Sequence, residues 1–505
     1  MTTTPVAPEN GVRWYGNLRR PNRPGIVGFG AVATLAGLFG VLVTIIVVAF
    51  AGLGPGLVAL TATFLGVLPS RRSARDGRSW YERAWKRAAN TVNRSAKRDV
   101  LLAGPAGFSP DGRCRLPGLL AATELQTAHD AYGQPFAVLF TPSTRHYTVA
   151  FECAATGQDQ VDQDQIDRQV AYWGAFMAQM GEWTDVDGAQ VVVETAPDTG
   201  LRLRSAVRER HSDDAPPFAV AVIEDLLEAY PIGSAQITTR VTLTFTAAPR
   251  AGQTKPATRE EMHARIGYLL PSILGNLAVA GAGQSVRVIT GDELTDAVRV
   301  AFDPSVASDV EQARRDGGTG LTWDEAGPVR LRPYDDCLQH DRAWSRTWQM
   351  LTPPSGAFQS DVLARLLAPH PEVARKRVAM LFRPQDAATA AAIVENDVNA
   401  ATFTASQRRQ ASARGTADVL AARKAAQEEA SGAGLVRFGL VITATCTERD
   451  DLPRAEAAIR QLTGPARLKT RLALGNQEVA FTAGLPCGLV LPHHMRVPAP
   501  VKDFL

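Results

Sequence analysis

The sequence predicts an α+β protein: an N-terminal transmembrane helical hairpin, followed by a mixed α+β region of two subdomains that carries an Ala-rich helical hairpin. Three observations predict this class. No charged residue occurs between Pro24 and Ser70. After residue 99, alternating segments typical of strands are interspersed with amphipathic helical segments. A proline-free stretch rich in Ala, Glu, Gln and Arg covers residues 385–430, which favours helix. With 505 residues, the chain is long enough for two or three folded units.

Residues 1–24 are predicted to form a tail and residues 25–70 the membrane hairpin. As one helix the uncharged run would reach about 69 Å, over twice the hydrocarbon core of a bilayer. The glycine- and proline-containing segment Gly52–Gly56 interrupts it, so two spans joined by a tight turn are predicted. Only about 14 residues remain from Pro55 to Leu68, so one span with a re-entrant piece is the alternative.

The hairpin is predicted to stay in the mature chain. Ala49-Phe50-Ala51 has the small-x-small pattern of a signal-peptide cleavage site, but the apolar run before it is longer than the roughly 7–15 residues of a signal core. Basic residues flank both ends of the hairpin, and basic flanks stay on the cytoplasmic side. A multi-pass protein of the inner (cytoplasmic) membrane with both termini in the cytoplasm is therefore predicted. The flanking residues are Arg13, Arg19, Arg20, Arg23, Arg71, Arg72, Arg75, Arg78, Arg83, Lys86 and Arg87.

Residues 71–98 form a basic juxtamembrane segment with a predicted helix from Ser79 to Lys97. Its aromatic and apolar side chains share one face with basic residues around them, so it suits an anionic membrane surface. Packing against the soluble region is an equal alternative. The apolar face consists of Tyr81, Trp85, Ala88 and Val92.

Two α+β subdomains, residues 99–305 and 306–505, are predicted for the rest of the chain, divided at a loop rich in Gly and Pro. Thr258 and Glu261 form a capping box before an apolar helical stripe. Asp451 and Pro453 begin a second helix that Gly464 ends. The predicted strands are Pro135–Phe140, His146–Glu152, Gln190–Thr195, Gln236–Ala247, Ser285–Ile289, Arg377–Phe382, Leu435–Thr447, Arg467–Leu474 and Glu478–Thr482, the last two as a hairpin turning at Gly475-Asn476.

The Ala-rich residues 385–430 are predicted to form a helical arm of two helices separated at Gly415. This arm either projects as a contact surface or packs against the sheet.

Neither glycine cluster predicts a nucleotide site. The segment from Gly464 to Lys469-Thr470 has one glycine before its lysine and runs from a helix into a strand, whereas a phosphate loop runs from a strand into a helix. The cluster Gly281-Ala282-Gly283-Gln284 also follows a helix and lacks a third glycine. No cofactor is therefore predicted.

Two groups of side chains have the composition of metal ligands without the spacing of a known site, and no metal ligand is assigned from the sequence. They are Asp335, Asp336, Cys337, His340 and Asp341 in one loop, and His493 and His494 near Cys487. No nucleophile-elbow or zinc-protease motif occurs in the sequence, so no catalytic residue is assigned and no enzymatic activity is expected.

Composition narrows the function classes. The five cysteines lie far apart and never as Cys-x-x-Cys, which predicts a reducing compartment without disulfides. A net charge of +3 is too small for a nucleic-acid-coating surface, and no direct nucleic-acid-binding site is predicted. The cysteines are Cys114, Cys153, Cys337, Cys446 and Cys487.

Three segments resemble the N-terminal, non-ATPase domain of the conjugation and type IV secretion ATPases. They are VRVITGDELTDAVRVAFDP from Val286, GLVRFGLVITATCTERDDLPRAEAAIRQL from Gly434 and GNQEVAFTAGLPCG from Gly475. The N-terminal hairpin resembles the two-helix membrane subunit that some of these systems fuse to the ATPase. Only 17 residues follow Gly488, and no counterpart of the ATPase domain with its phosphate loop is present among them.

The resemblance implies a membrane-anchored structural component of a conjugal DNA-transfer machine that docks a separately encoded ATPase. The expected partners are the lipid bilayer, that cytoplasmic ATPase and other membrane subunits of an oligomeric complex. The Ala- and Arg-rich composition suggests an actinobacterial source. A membrane subunit of a type VII-like secretion complex is the alternative, and a membrane-tethered enzyme with a spatially assembled site is a third hypothesis.

Overall fold

A computed structural model of the chain describes residues 15–16, 31–71, 79–95, 100–105, 107, 112–155, 161–183, 185–210, 212, 214–229, 235–249, 254–283, 285–354, 358–406 and 413–495. It is a mixed α+β structure, 51% helix and 23% strand, with two apolar N-terminal helices and one large antiparallel sheet. The predicted class is confirmed at that level. Most of the basic residues that flank the hairpin lie outside the described residues.

The two apolar helices are α1 (Ala31–Ala51) and α2 (Leu53–Val67). The break between them is a single residue, Gly52, whose φ of 88° is one that a side chain would disfavour. Because the helix resumes at Leu53, the second apolar segment has 18 residues, Leu53–Ser70, and is longer than the sequence predicts. Both helices are long and apolar enough to cross a membrane.

Small residues let α1 and α2 approach closely. A Cβ on Gly40 would overlap the Thr63 side chain, and a Cβ on Gly56 would overlap Val48. Thr44 donates its hydroxyl to the Gly40 carbonyl at 2.8 Å, so this polar group is satisfied within the helix. Such small-residue contacts are typical of helix pairs in membranes.

Helix α3 (Trp80–Ser95) joins the hairpin to the sheet. Reciprocal bonds between Ser79 and Glu82 cap its start. Tyr81 donates its hydroxyl to the Gly66 carbonyl at 2.8 Å, and Asn90 donates to Asp335 at 2.6 Å. The helix therefore contacts both parts of the chain, while Trp80 stays exposed.

All strands belong to one 13-stranded sheet. They are β1 (Leu101–Leu102), β2 (Glu124–His129), β3 (Pro135–Thr141), β4 (His146–Cys153), β5 (Val186–Pro197), β6 (Ala235–Thr246), β7 (Val286–Val288), β8 (Arg330–Pro333), β9 (Leu338–His340), β10 (Ala343–Thr352), β11 (Arg375–Pro384), β12 (Val436–Cys446) and β13 (Lys469–Leu472).

Further helices lie between these strands or, for the last two, after β13. They are α4 (Gln163–Glu182), α5 (Leu201–Glu209), α6 (Pro217–Ala229), α7 (Arg259–Leu277), α8 (Gly291–Phe302), α9 (Ala307–Arg315), α10 (Ala364–Leu367), α11 (Ala387–Ser406), α12 (Ala413–Ala430), α13 (Leu452–Thr463), α14 (Gln477–Ala483) and α15 (Leu491–His494).

The sheet consists of two halves with the same topology. Its order is β1-β8-β9-β10-β12-β11-β5-β6-β4-β3-β2, with β13 paired to β10 and β7 paired to β4. Strands β2 to β7 of the first half correspond in order and pairing to β8 to β13 of the second. The described helices match too: α5 and α6 lie between β5 and β6, as α11 and α12 lie between β11 and β12.

The halves meet where β5 and β11 pair antiparallel, with Val192 opposite Ala379 and Val193 opposite Val378. The predicted division at 305/306 falls in the turn between α8 and α9, where the chain passes from one half to the other. The division into two subdomains stays a prediction.

Three of the four hydrophobic clusters among the described residues pack helices against the sheet. One packs α4 and α7 against the first half, around Phe151 and Ile266. Another packs α13 against the second half, around Ile442 and Ile459. The third joins α8 and α14 around Phe302, and it holds side chains from β3, β4, β8 and β9. Both halves therefore contribute to one core.

Most strand predictions are confirmed, with ends shifted by a few residues. The predicted strand Glu478–Thr482 is wrong, because these residues lie in α14 and β13 pairs with β10 instead. Gln477 is buried at the start of α14, and its side-chain oxygen accepts a hydrogen bond from the Thr347 amide at 2.8 Å. This bond holds the helix against the sheet. The alternation of Val479 and Phe481 is too short to distinguish the two states.

The Ala-rich segment forms two packed helices, α11 and α12, with Ala390, Val394 and Ala422 buried. Gly415 does not separate them, because it lies inside α12. The connection, residues 407–412, lies outside the described residues.

Candidate functional site

The predicted loop from Asp335 to Asp341 does not bring its polar side chains together. Asp336 pairs with Arg346 at 2.5 Å, and Asp341 pairs with Arg299 at 2.9 Å. Cys337 is buried, and burial raises the pKa of its thiol to about 11, which disfavours the thiolate that metals bind. Asp336 and Asp341 therefore serve as ion-pair partners of arginines from neighbouring elements.

Both ring nitrogens of His340 form hydrogen bonds. Its Nδ1 lies 2.5 Å from the Phe302 carbonyl, which can only accept, so Nδ1 carries the proton. Its Nε2 then accepts from the Ser345 hydroxyl at 2.7 Å. Burial, the largest effect, lowers the pKa of His340 to about 4, so the ring is neutral at pH 7.

The second predicted group, His493 and His494 near Cys487, lies on the C-terminal segment, which crosses the sheet. Gly488 has a φ of 60°, and a Cβ there would overlap Thr244 and Thr148. Its amide donates to Gln190 Oε1 at 3.1 Å, and its carbonyl accepts from Thr244 at 2.6 Å. A Cβ on Gly188 would come within 2.9 Å of Val490. Glycines on both sides thus let this segment lie directly on β5 and β6.

This crossing brings His493 to His146 and Asp187. The Nε2 atoms of His146 and His493 lie 3.2 Å and 3.0 Å from the same oxygen, Asp187 Oδ2. The ligand atoms of all three residues lie within 4.8 Å of one another, which is the geometry of a metal-binding group. We call these three residues the His-Asp-His cluster.

Secondary structure explains how Asp187 reaches this point. His146 begins β4 and faces Thr246 of β6. The pairing of β5 with β6 shifts between Val186 and Gly188, so Asp187 is the extra residue of a bulge. Bulges change the direction of a side chain and are frequent beside functional sites.

The cluster lies at the surface of the sheet with one open side. Side-chain exposure rises from 4% for His146 to 21% for Asp187 and 40% for His493, so a small ion can enter past His493. Burial raises the pKa of Asp187, but the imidazoles of His146 and His493 outweigh burial and hold it well below its usual value. The carboxylate is therefore ionised and suited to bind a cation.

His494 lies next to the cluster, and Cys487 does not belong to it. Burial, together with the charges of His146 and His493, lowers the pKa of His494. Cys487 is fully buried in the hydrophobic cluster around Phe302, and burial raises the pKa of its thiol to about 12. Of His493, His494 and Cys487, only His493 belongs to the cluster.

A buried group of charges lies at the junction of the two halves. Glu194 on β5 accepts from Arg375 and Arg377 on β11, each at 3.0 Å, and Arg240 lies 3.8 Å away. Burial raises the pKa of Glu194, but these guanidinium groups outweigh it and lower the pKa to about 2. This carboxylate neutralises buried arginines and links the strands.

Arg375 also lines a cavity of 650 Å³ between the halves. Arg454 and the acidic residues Asp198, Glu372 and Asp451 line it too. Because both signs of charge are present, the lining favours no single ligand class.

Helix α6 exposes an apolar face. Phe218, Val222 and Leu226 recur at spacing i, i+4 and i+8, which places them on one side of the helix. Phe218 is 81% exposed and the other two are about half exposed. Exposed apolar patches of this kind mark contact surfaces.

The two glycine clusters have structural roles. The segment after Gly464 leads from α13 into β13, as the sequence predicts. Gly281 and Gly283 have φ values of 87° and 110° at the end of α7, and a Cβ on Gly283 would overlap the Ala154 backbone. Gln284 of this cluster lies outside the described residues.

Sequence reasoning missed His146 and Asp187, because nothing in the chain near either residue has ligand spacing. The only local signal is the Asp-Gly pair at 187–188 inside a strand, which is typical of a bulge. No protein-family model and no curated protein sequence matches this chain.

Proposed function

We propose that this chain is a membrane-anchored structural component of a conjugal DNA-transfer machine of the type IV secretion kind, which docks a separately encoded ATPase and is not itself an enzyme. The observation that carries the membrane part is the exposure of α1 and α2. Only 6% of either apolar segment is buried, whereas a core helix of a soluble protein is mostly buried. A second apolar helix directly follows the first, which a cleaved signal sequence does not require.

The proposed topology has both termini in the cytoplasm and two crossings of the inner membrane. Tyr15 precedes the hairpin, yet its backbone pairs with Phe358 at 2.8 Å in both directions, and its hydroxyl donates to Asp167 at 2.8 Å. These contacts support a topology with the tail and the sheet on one side of the membrane, which an even number of crossings provides. The arginines on both flanks favour the cytoplasmic side.

The proposed ATPase-docking surface is the apolar face of α6. Phe218, Val222 and Leu226 expose apolar area that gains stability when a partner covers it. The three motifs that resemble the non-ATPase domain of the secretion-ATPase family support this class of partner. Other membrane subunits and further copies of this chain complete the proposed complex.

Topology is tested with two reporter fusions in living cells. We expect alkaline phosphatase inserted at Gly52 to be active, because the turn lies outside, and green fluorescent protein after Leu505 to fluoresce in the cytoplasm. An external C-terminal reporter, or an inactive turn reporter beside a membrane-bound chain, would contradict the two-span topology.

Docking is tested by purifying the full chain from native membranes and identifying co-purified proteins by mass spectrometry. We expect a cytosolic ATPase with a phosphate loop to co-purify, and the double variant Phe218→Asp with Leu226→Asp to lose it. Tyr132→Asp is the matched control, because Tyr132 is 77% exposed elsewhere on the surface. Retention of the ATPase by the α6 variant would exclude this surface, and co-purification of small helical secreted proteins instead would favour a type VII-like complex.

A further inference from the structure

We propose that the His-Asp-His cluster binds one Zn²⁺ ion, which fastens the C-terminal segment to the sheet. The proposal rests on the geometry of His146, Asp187 and His493 and is independent of the secretion role. It adds a metal site on the soluble region, outside both the membrane hairpin and the docking surface.

Two of the three donor-to-donor distances fit a shared ion. Two donor atoms that each lie about 2.1 Å from a tetrahedral zinc ion are about 3.4 Å apart. The two Nε2 atoms lie 3.2 Å and 3.0 Å from Asp187 Oδ2, close to that separation. The three donors come from β4, the bulge of β5 and α15, so they approach one point from different directions.

A simple pair of hydrogen bonds explains the arrangement less well. Asp187 Oδ2 is buried, and despite its two close nitrogens it accepts no hydrogen bond of normal geometry among the described residues. A buried carboxylate oxygen without a hydrogen bond is costly unless a cation compensates it. A metal ion between the donors satisfies the oxygen and both nitrogens together.

The donor set selects the metal class. Two imidazoles and one carboxylate suit Zn²⁺, whereas Mg²⁺ and Ca²⁺ require oxygen ligands. The fourth position is open to water.

The ion would hold α15, none of whose residues is buried, whereas Leu489 and Val490 just before it are buried. Helix α15 has only four residues, and its main contact to the sheet lies upstream, at Gly488. Bound Zn²⁺ would coordinate His493 together with His146 of β4 and Asp187 of β5. The segment before Met495 would then separate from the sheet less often.

The test uses the full chain in detergent after removal of metal by a chelator. We expect it to bind one equivalent of Zn²⁺ in competition with a colorimetric chelator, and to give the visible absorption of four-coordinate Co²⁺ when cobalt replaces zinc. Zn²⁺ should also slow hydrogen exchange in residues 484–495. Mg²⁺ at the same concentration should not compete.

His493→Ala and Asp187→Asn should each weaken Zn²⁺ binding at least tenfold and abolish the change in hydrogen exchange. His493 is exposed on a short helix, so its variant keeps the fold, which circular dichroism verifies. His129→Ala is the matched control, because His129 is also exposed, on β2, and it should bind as the parent does. Absence of stoichiometric Zn²⁺ binding, or full binding by both cluster variants, would overturn the proposal.

Discussion

His340 illustrates how one buried polar residue joins separate elements. It lies on β9, donates to the end of α8 at Phe302 and accepts from Ser345 of β10. Ser345 in turn lies 2.7 Å from the hydroxyl of Thr445 on β12. Because only the neutral ring can both donate and accept, protonation would break this chain of hydrogen bonds. The histidine therefore makes stability depend on pH.

We expect the chain to lose stability as the pH falls through the window from about 6.5 to about 4. In the unfolded chain His340 has its ordinary pKa, while in the fold burial lowers the pKa to about 4, so in this window only the unfolded state binds the proton. Between pH 7 and pH 5 this residue alone should remove about 2 kcal/mol of unfolding free energy. Denaturant unfolding in detergent at both pH values measures this loss of unfolding free energy.

The variant His340→Asn carries no titrating group at this position. Between pH 7 and pH 5 its unfolding free energy should fall by about 2 kcal/mol less than that of the parent. His129→Asn replaces an exposed histidine and serves as the control, with the pH dependence of the parent. An equal pH dependence for His340→Asn and the parent would contradict the role given to His340.

Among the elements, the packing of α1 against α2 depends on where their glycines face. Gly40 and Gly56 lie against side chains of the opposite helix, while Gly66 has no atom within 4 Å of where its Cβ would be. In a membrane, lipid tails are as apolar as the helices, so close packing rather than burial holds the pair together. Glycine is therefore needed for helix packing at positions 40 and 56 but not at position 66.

We expect Gly56→Leu to separate α1 from α2 by several ångströms, and Gly66→Leu to leave their spacing unchanged. Electron–electron double resonance between spin labels at Leu35 and Leu68 measures the spacing, since both side chains are exposed. Cys114, which is half-buried, is replaced by Ser, and the other four cysteines are buried. Equal distances in the two variants would show that the helices do not pack through Gly56.

At the scale of the whole molecule, two halves of the same topology share one continuous sheet. Strands β5 and β11 pair over seven residues, from Lys376 opposite Thr195 to Phe382 opposite Ala189. Ala379 and Val192 at the centre of this pairing are buried, and Glu194 pairs with arginines of β11 beside them. Contacts of this kind couple the stability of both halves.

We expect the two halves to unfold in one cooperative step, because separating them would expose this pairing. Ala379→Asp buries an uncompensated charge at the centre and should lower the stability of both halves together. Hydrogen exchange of β4 and β12, followed as denaturant increases, reports on each half. Loss of protection in β12 alone would show that the halves unfold independently.

The sequence by itself determined the features that depend on local periodicity. The uncharged run of residues 25–70 predicts the two apolar helices, because a bilayer accepts a long uncharged segment. The capping box at Thr258 and the apolar stripe behind it predict α7, and the capping box is confirmed. Strands β3 and β4 are predicted within a residue or two, because each is a short run with apolar residues that is buried at nearly every position.

Only the tertiary structure decided which elements meet. Strand β10 was not predicted, because its buried positions Ser345 and Thr347 are polar and satisfied by neighbouring strands. The His-Asp-His cluster was not predicted either, because His146, Asp187 and His493 are brought together by sheet pairing and by the path of the C-terminal segment. Local patterns record which face of an element is buried, but they do not record its partner, since pairing depends on contacts between residues distant in the chain.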